Sequence, residues 1–110
     1  AWADPPSRVG RLAAVSGAVS FSPAGETEWI QASINRPLTN GDRIWVHANS
    51  RAEIQFGSSV VRLDERTALT ILDLDARITQ LQLTQGVASV RVRRASARHI
   101  LEIDTPNLAY

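Results

Sequence analysis

Side chains able to do chemistry are sparse in this chain. Histidine occurs at two distant positions, His47 and His99, and cysteine is absent, which excludes thiol catalysis, iron–sulfur clusters and zinc ribbons. No H-E-x-x-H pair, G-x-S-x-G elbow, Walker loop or G-x-G-x-x-G turn is present. An enzyme needs a nucleophile and a base within reach of each other, and no such pair stands out, so the expectation is a non-enzymatic protein with no cofactor and no metal. Asp73 and Asp75 flank Leu74 and would lie on one strand face about 7 Å apart, a start for a calcium site if a loop added further oxygens. The simpler expectation is a solvated outer face with Leu74 turned inward. His47 is expected to make a surface hydrogen bond, and His99 has no acid and imidazole beside it to complete a ligand set.

Charged and aromatic residues supply the other candidates. Arg91, Arg93, Arg94 and Arg98 form the one charge cluster and are the candidate partner-binding residues. Arg91 and Arg93 alternate with Val90 and Val92, so both project from one strand face as an anion-binding stripe. The competing expectation is that Glu102 and Asp104, on an antiparallel neighbour, neutralise them at about 0.2–1 kcal/mol per pair. Trp29 and Trp45 could stack a sugar ring or a peptide side chain, but with aromatics at 5% of the chain they are expected to fill the core. Trp2, in a Pro-rich lead, is expected to be exposed.

The elements that would hold these residues are strands. At 110 residues and 44% hydrophobic content the chain has room for one domain and one core, which needs no disulfide. Val19 and Phe21 alternate with Ser20 and Ser22 before a Pro-Ala-Gly break, and Asn40-Gly41 marks a tight turn ahead of Arg43-Ile44-Trp45-Val46. Ile54 and Phe56, then Val61 and Leu63, alternate with polar residues on either side of Gly57-Ser58-Ser59, the pattern of a hairpin. Val90 and Val92, and later Leu101 and Ile103, continue the period of two until Pro106 ends it. Thr67 to Gln85 also fits helical spacing at Ile71, Leu74, Ile78 and Leu81. The alternation of Leu72, Leu74, Ala76 and Ile78 followed by a change of phase to Leu81 and Leu83 favours two strands with a bend or bulge.

About nine or ten short antiparallel strands make the class all-β, as a sandwich or a solenoid-like stack. The residues expected to point inward are Ile54, Phe56, Val61, Leu63, Leu81, Leu83, Val90, Val92, Leu101 and Ile103.

Twelve basic residues, all arginine, stand against eleven acidic ones, and a net charge of +1 gives no field for nucleic acid or an anionic membrane. No apolar run approaches a membrane span, so the expected domain is soluble. The opening Ala1-Trp2-Ala3-Asp4-Pro5-Pro6 reads as the start of a chain released from a signal peptide, with residues 1–8 as a lead and 9–110 as the domain.

The order of motifs carries a resemblance. Val9-Gly10-Arg11-Leu12 with Gly17-Ala18-Val19, then Glu28-Trp29, Asn35-Arg36-Pro37-Leu38, Gly41-Asp42-Arg43, Ser50-Arg51-Ala52-Glu53-Ile54, Leu81 with Thr84-Gln85-Gly86, and Ile103-Asp104-Thr105-Pro106-Asn107 together resemble the FecR domain. That pattern normally continues past Thr-Pro into a strand with a Gly-Thr-x-Phe-like element, so the resemblance implies a domain truncated at its C-terminus or a piece of a longer protein.

The resemblance further implies a periplasmic, non-enzymatic β domain of Gram-negative bacteria. In the best-known members it belongs to a membrane-anchored regulator that passes an iron-uptake signal from an outer-membrane transducer to a cytoplasmic sigma factor. The start of this chain looks like that of stand-alone secreted relatives. The transferable role is a protein-interaction and signalling module that binds a protein partner in the cell envelope through sheet edges and loops, with weak homodimerisation through an open strand edge. A cell-envelope glycan-binding domain is the alternative, with Trp29 or Trp45 stacking the sugar.

Overall fold

A computed structural model describes residues 10–57, 59–74, 78–92 and 100–105. Among them are eleven strands and no helix. In chain order these are β1 (Gly10–Ser16), β2 (Val19–Ser22), β3 (Ile30–Gln31), β4 (Pro37–Leu38), β5 (Arg43–Val46), β6 (Arg51–Phe56), β7 (Ser59–Leu63), β8 (Thr67–Leu74), β9 (Ile78–Gln85), β10 (Ala88–Val92) and β11 (Ile100–Asp104). A first sheet has the order β10-β7-β6-β1-β4 and a second the order β11-β9-β8-β5-β2-β3. They enclose one shared core, so the architecture is a sandwich. Every pairing is antiparallel except β11 with β9, which is parallel. The chain leaves β9 for β10 in the first sheet, and β11 then lies beside β9 in the second, parallel to it.

Register sets the core. Leu12, Ile54 and Val61 stand in one row of the first sheet, and Phe21, Ile44, Leu69 and Leu83 in one row of the second, all of them buried. The hairpin expected around Gly57 is present, with Ile54 opposite Val61 and Phe56 opposite Ser59. Gly41 has the positive φ its turn requires, at 88°.

The change of phase in Thr67 to Gln85 lies inside β8. The ladder slips between Ile71 and Asp73, which turns Leu72 outward at 40% exposed and lets both Ile71 and Leu74 point inward. Thr79, Leu81 and Leu83 then keep a single phase along β9.

Two expectations for buried residues fail. Val90 shares the face of its fully buried neighbour Val61 but is 42% exposed, because β10 is the edge of its sheet among the described strands. Trp29 and Trp45 are not core fillers. Trp45 is in register with Ser20 and Ala68 on the outer face of the second sheet, and Trp29 is 45% exposed. Leu101 and Ile103 pack half-buried against the core, while the side chain of Val92 lies outside the described residues.

Where the chain crosses between sheets, backbone groups leave both ladders and need other partners. Three buried side chains meet that need with their oxygens. Ser50, between β5 and β6, accepts from the amide of Ala18 at 2.8 Å, between β1 and β2. Asp42, ahead of β5, accepts from Ala24 and Thr39, both at 2.9 Å. Thr67, opening β8, accepts from Val87 at 3.1 Å between β9 and β10, and a Cβ on the adjoining Gly86, whose φ is 94°, would overlap Thr67.

Two stability measurements check this account. Phe56→Ala removes a ring that is 4% exposed and should cost about 3–5 kcal/mol, whereas Val90→Ala at the edge should cost less than about 1 kcal/mol in denaturant unfolding. Asp42→Ala strands two amides and should cost on the order of 3 kcal/mol, with Asp42→Asn, which keeps one acceptor oxygen, intermediate.

Candidate functional site

Alternation along β1, β6, β7 and β10 places a set of charged side chains on the outer face of the first sheet. One row across the strands runs Arg11, Gln55, Val60, Arg91, and the next runs Ala14, Glu53, Arg62, Ser89. Arg62 donates through Nε to Glu53 at 2.9 Å, and Arg51 lies 3.5 Å from Asp64. Arg11 donates to the neutral amide oxygens of Asn35 at 2.8 Å and Gln55 at 2.6 Å. The face thus carries four arginines against two acids among the described residues, an excess of two positive charges at Arg11 and Arg91. A groove of about 540 Å³ crosses it, lined in part by Ala14, Arg51, Glu53, Arg62, Asp64 and Ser89.

The outer face of the second sheet has the opposite balance. Asp73, Glu102 and Asp104 project there, against Arg43 alone among its described strand residues. Arg43 is engaged, donating to the Ser22 hydroxyl at 3.0 Å and to the Glu26 carbonyl at 3.2 Å while lying 5.0 Å from the centre of the Trp29 ring. His47 makes the expected hydrogen bond, with Nε2 2.8 Å from the Ser20 hydroxyl, and meets Trp45 edge to face. Leu74 is buried as expected beside an outward Asp73.

Short crossings align the two sheets. Two residues join β9 to β10 and three join β7 to β8, so β10 and β11 form the two edges on one side of the sandwich, with β4 and β3 on the other. β4 and β3 have two residues each, and β4 begins with Pro37, which has no amide to offer. β10 and β11 have five residues each. Exposed apolar side chains lie on both sides, Val87, Val90 and Ile100 by the longer edges and Trp29, Ile30 and Ile34 by the shorter ones.

The arginine cluster is thereby corrected. Glu102 and Asp104 do not neutralise Arg91 within the chain, because β11 pairs with β9 in the second sheet and not with β10. Glu102 accepts instead from Gln80 at 2.9 Å. Arg91 is exposed on the outer face, as strand phase required. Arg93, Arg94, Arg98, His99, Asp75 and Trp2 lie outside the described residues. The cross-strand set Arg51, Glu53, Arg62 and Asp64 was not picked out from sequence. Its signal is the Gly57 hairpin, whose short turn sets Glu53 opposite Arg62. Among the described residues no three His, Asp or Glu side chains gather as a metal would require.

The family model described as FecR protein matches residues 42–110, more than half of the chain, and the chain belongs to the FecR family. No curated protein and no solved structure matches it. The match opens at Asp42 and includes Ser50, Thr67 and Gly86, residues that hold the sheet crossings together. No helix among the described residues is long and apolar enough to cross a membrane.

Because the ion pairs on the first face are solvent-exposed, Arg62→Ala should change the unfolding free energy by less than about 1 kcal/mol in chemical denaturation. A larger loss would mean that this face is built for stability.

Proposed function

We propose that the chain is a non-enzymatic protein-interaction and signalling module of the cell envelope that takes its partners through the β10 and β11 edges. The observation that carries this reading is the asymmetry of the sandwich in edge length: among the described residues, five-residue strands end the sheets on one side and two-residue strands on the other. An edge strand offers backbone donors and acceptors to an incoming strand, and the neighbouring side chains select which strand fits. Arg91 is the partner-binding residue that the described surface supports, and Arg93, Arg94 and Arg98 follow it in sequence. Membership of the FecR family supports a signalling role, and with it a periplasmic setting.

The glycan alternative draws on the outward position of Trp45 and Trp29, but Arg43 covers one face of Trp29, which reduces the stacking surface for a sugar. Tryptophan fluorescence should therefore stay flat on titration with peptidoglycan fragments.

A photo-cross-linking amino acid placed at Val90 or Ile100 should give discrete protein adducts in the cell envelope, while the same residue at Thr27, an exposed position in the turn between β2 and β3, should give none. Equal labelling at all three positions, or none at any, would overturn the reading.

A further inference from the structure

We infer that the partner of the β10 and β11 edges is a second copy of this chain, with β10 of each copy pairing with β11 of the other. This rests on the reading that these edges are binding surfaces, and it specifies the occupant.

The two edges are complementary in pattern. A strand added to β10 must place apolar residues beside Ala88 and Val90 on the inner side and acids beside Ser89 and Arg91 on the outer side. β11 has that pattern, with Leu101 and Ile103 turned to the core and Glu102 and Asp104 turned out. Within one chain the two strands are edges of different sheets and do not meet as neighbours. A two-fold axis parallel to the strands, along the side where both edges lie, brings them together between copies. The rotation exchanges the layers, so the first sheet of one copy continues into the second sheet of the other, and both junctions form at once. Outer faces stay outside, and Arg91 meets the partner's Glu102 and the partner's Asp104.

Chain direction is also consistent. β9 and β10 are joined by two residues and lie in facing layers, and a chain that enters the facing layer so soon has to fold back over its own sheet, so β10 runs counter to β9, while β11 is parallel to β9. A rotation about an axis along the strands leaves their direction unchanged, so β10 and the partner's β11 pair antiparallel, the arrangement in which Arg91 and an acid stand directly opposite or one position diagonal. The sheet faces reinforce the match, since the excess positive charge on the first is extended by the acid-bearing face of the second.

The test is sedimentation velocity on the 110-residue chain over a range of concentrations, with a charge swap. The wild-type chain should show a reversible monomer–dimer equilibrium, with dissociation rising about tenfold or more between roughly 0.05 and 0.5 M salt. Arg91→Glu and Asp104→Arg should each weaken association about tenfold or more when alone, with unfolding midpoints unchanged because both side chains are exposed. An equimolar mixture of the two variants should associate again, because one junction then pairs Glu with Arg and the other is native. A dimer indifferent to both substitutions, or variants that weaken association but are not rescued by mixing, would overturn the inference. A chain that stays monomeric at high concentration would also overturn it. If envelope adducts at Val90 and Ile100 persisted in that case, the binding-edge reading would stand with a different partner, and if they too were missing, both would fall.

Discussion

The sandwich depends on one constraint, the satisfaction of backbone groups where the chain crosses from sheet to sheet. Crossings are frequent here because consecutive strands so often lie in opposite layers. A crossing leaves both ladders, and an amide buried there without an acceptor costs about as much as several good contacts return. Ser50, Asp42 and Thr67 each supply an oxygen to a crossing or turn distant in sequence, and so tie separate parts of the chain together in one step. With the crossings held short, the two sheets stay in alignment, and the position of every edge follows.

This explains why the motifs that mark the family say little about what it binds. Gly41-Asp42, Ser50-Arg51-Ala52-Glu53 and Thr84-Gln85-Gly86 supply a turn, staples and a close approach of backbone to backbone. Their spacing is set by the geometry of crossings. The surface of the first sheet is tied to those motifs only through Arg51 and Glu53, which belong to one strand of a cross-strand set. The surface proposed for a partner is instead the side where, among the described residues, two five-residue strands end their sheets, and its character comes from Val90, Arg91, Ile100 and the acids of β11.

Strand phase was legible in the sequence because a period of two survives in short runs. Ile54, Phe56, Val61, Leu63, Leu81 and Leu83 are all buried where alternation put them. Layer assignment was not legible. Alternation says which way Arg91 and Glu102 point, but not whether their strands are neighbours, and that depends on which sheet the chain enters after each crossing. The same gap explains Val90, whose phase is right and whose exposure comes from its edge position. The tryptophans misled for a different reason. Size alone suggested the core, while the rings find contacts on the outer face, Trp29 against Arg43 and Trp45 against His47. In β8 the alternation of Leu72 and Leu74 is real, but Leu72 belongs to the bulge, so the pattern began one residue too early to mark the inward face.

Native-state hydrogen exchange tests the central claim most directly. If buried side-chain oxygens at the crossings hold the sandwich together, the amides of Ala18, Ala24, Thr39 and Val87 should exchange only through global unfolding, with the same free energy as the amides of β6 and β8 in the core. Exchange of those four amides as fast as that of the exposed turn residue Thr27, while β6 and β8 stay protected, would contradict the account and show that the sheets hold their alignment without the staples.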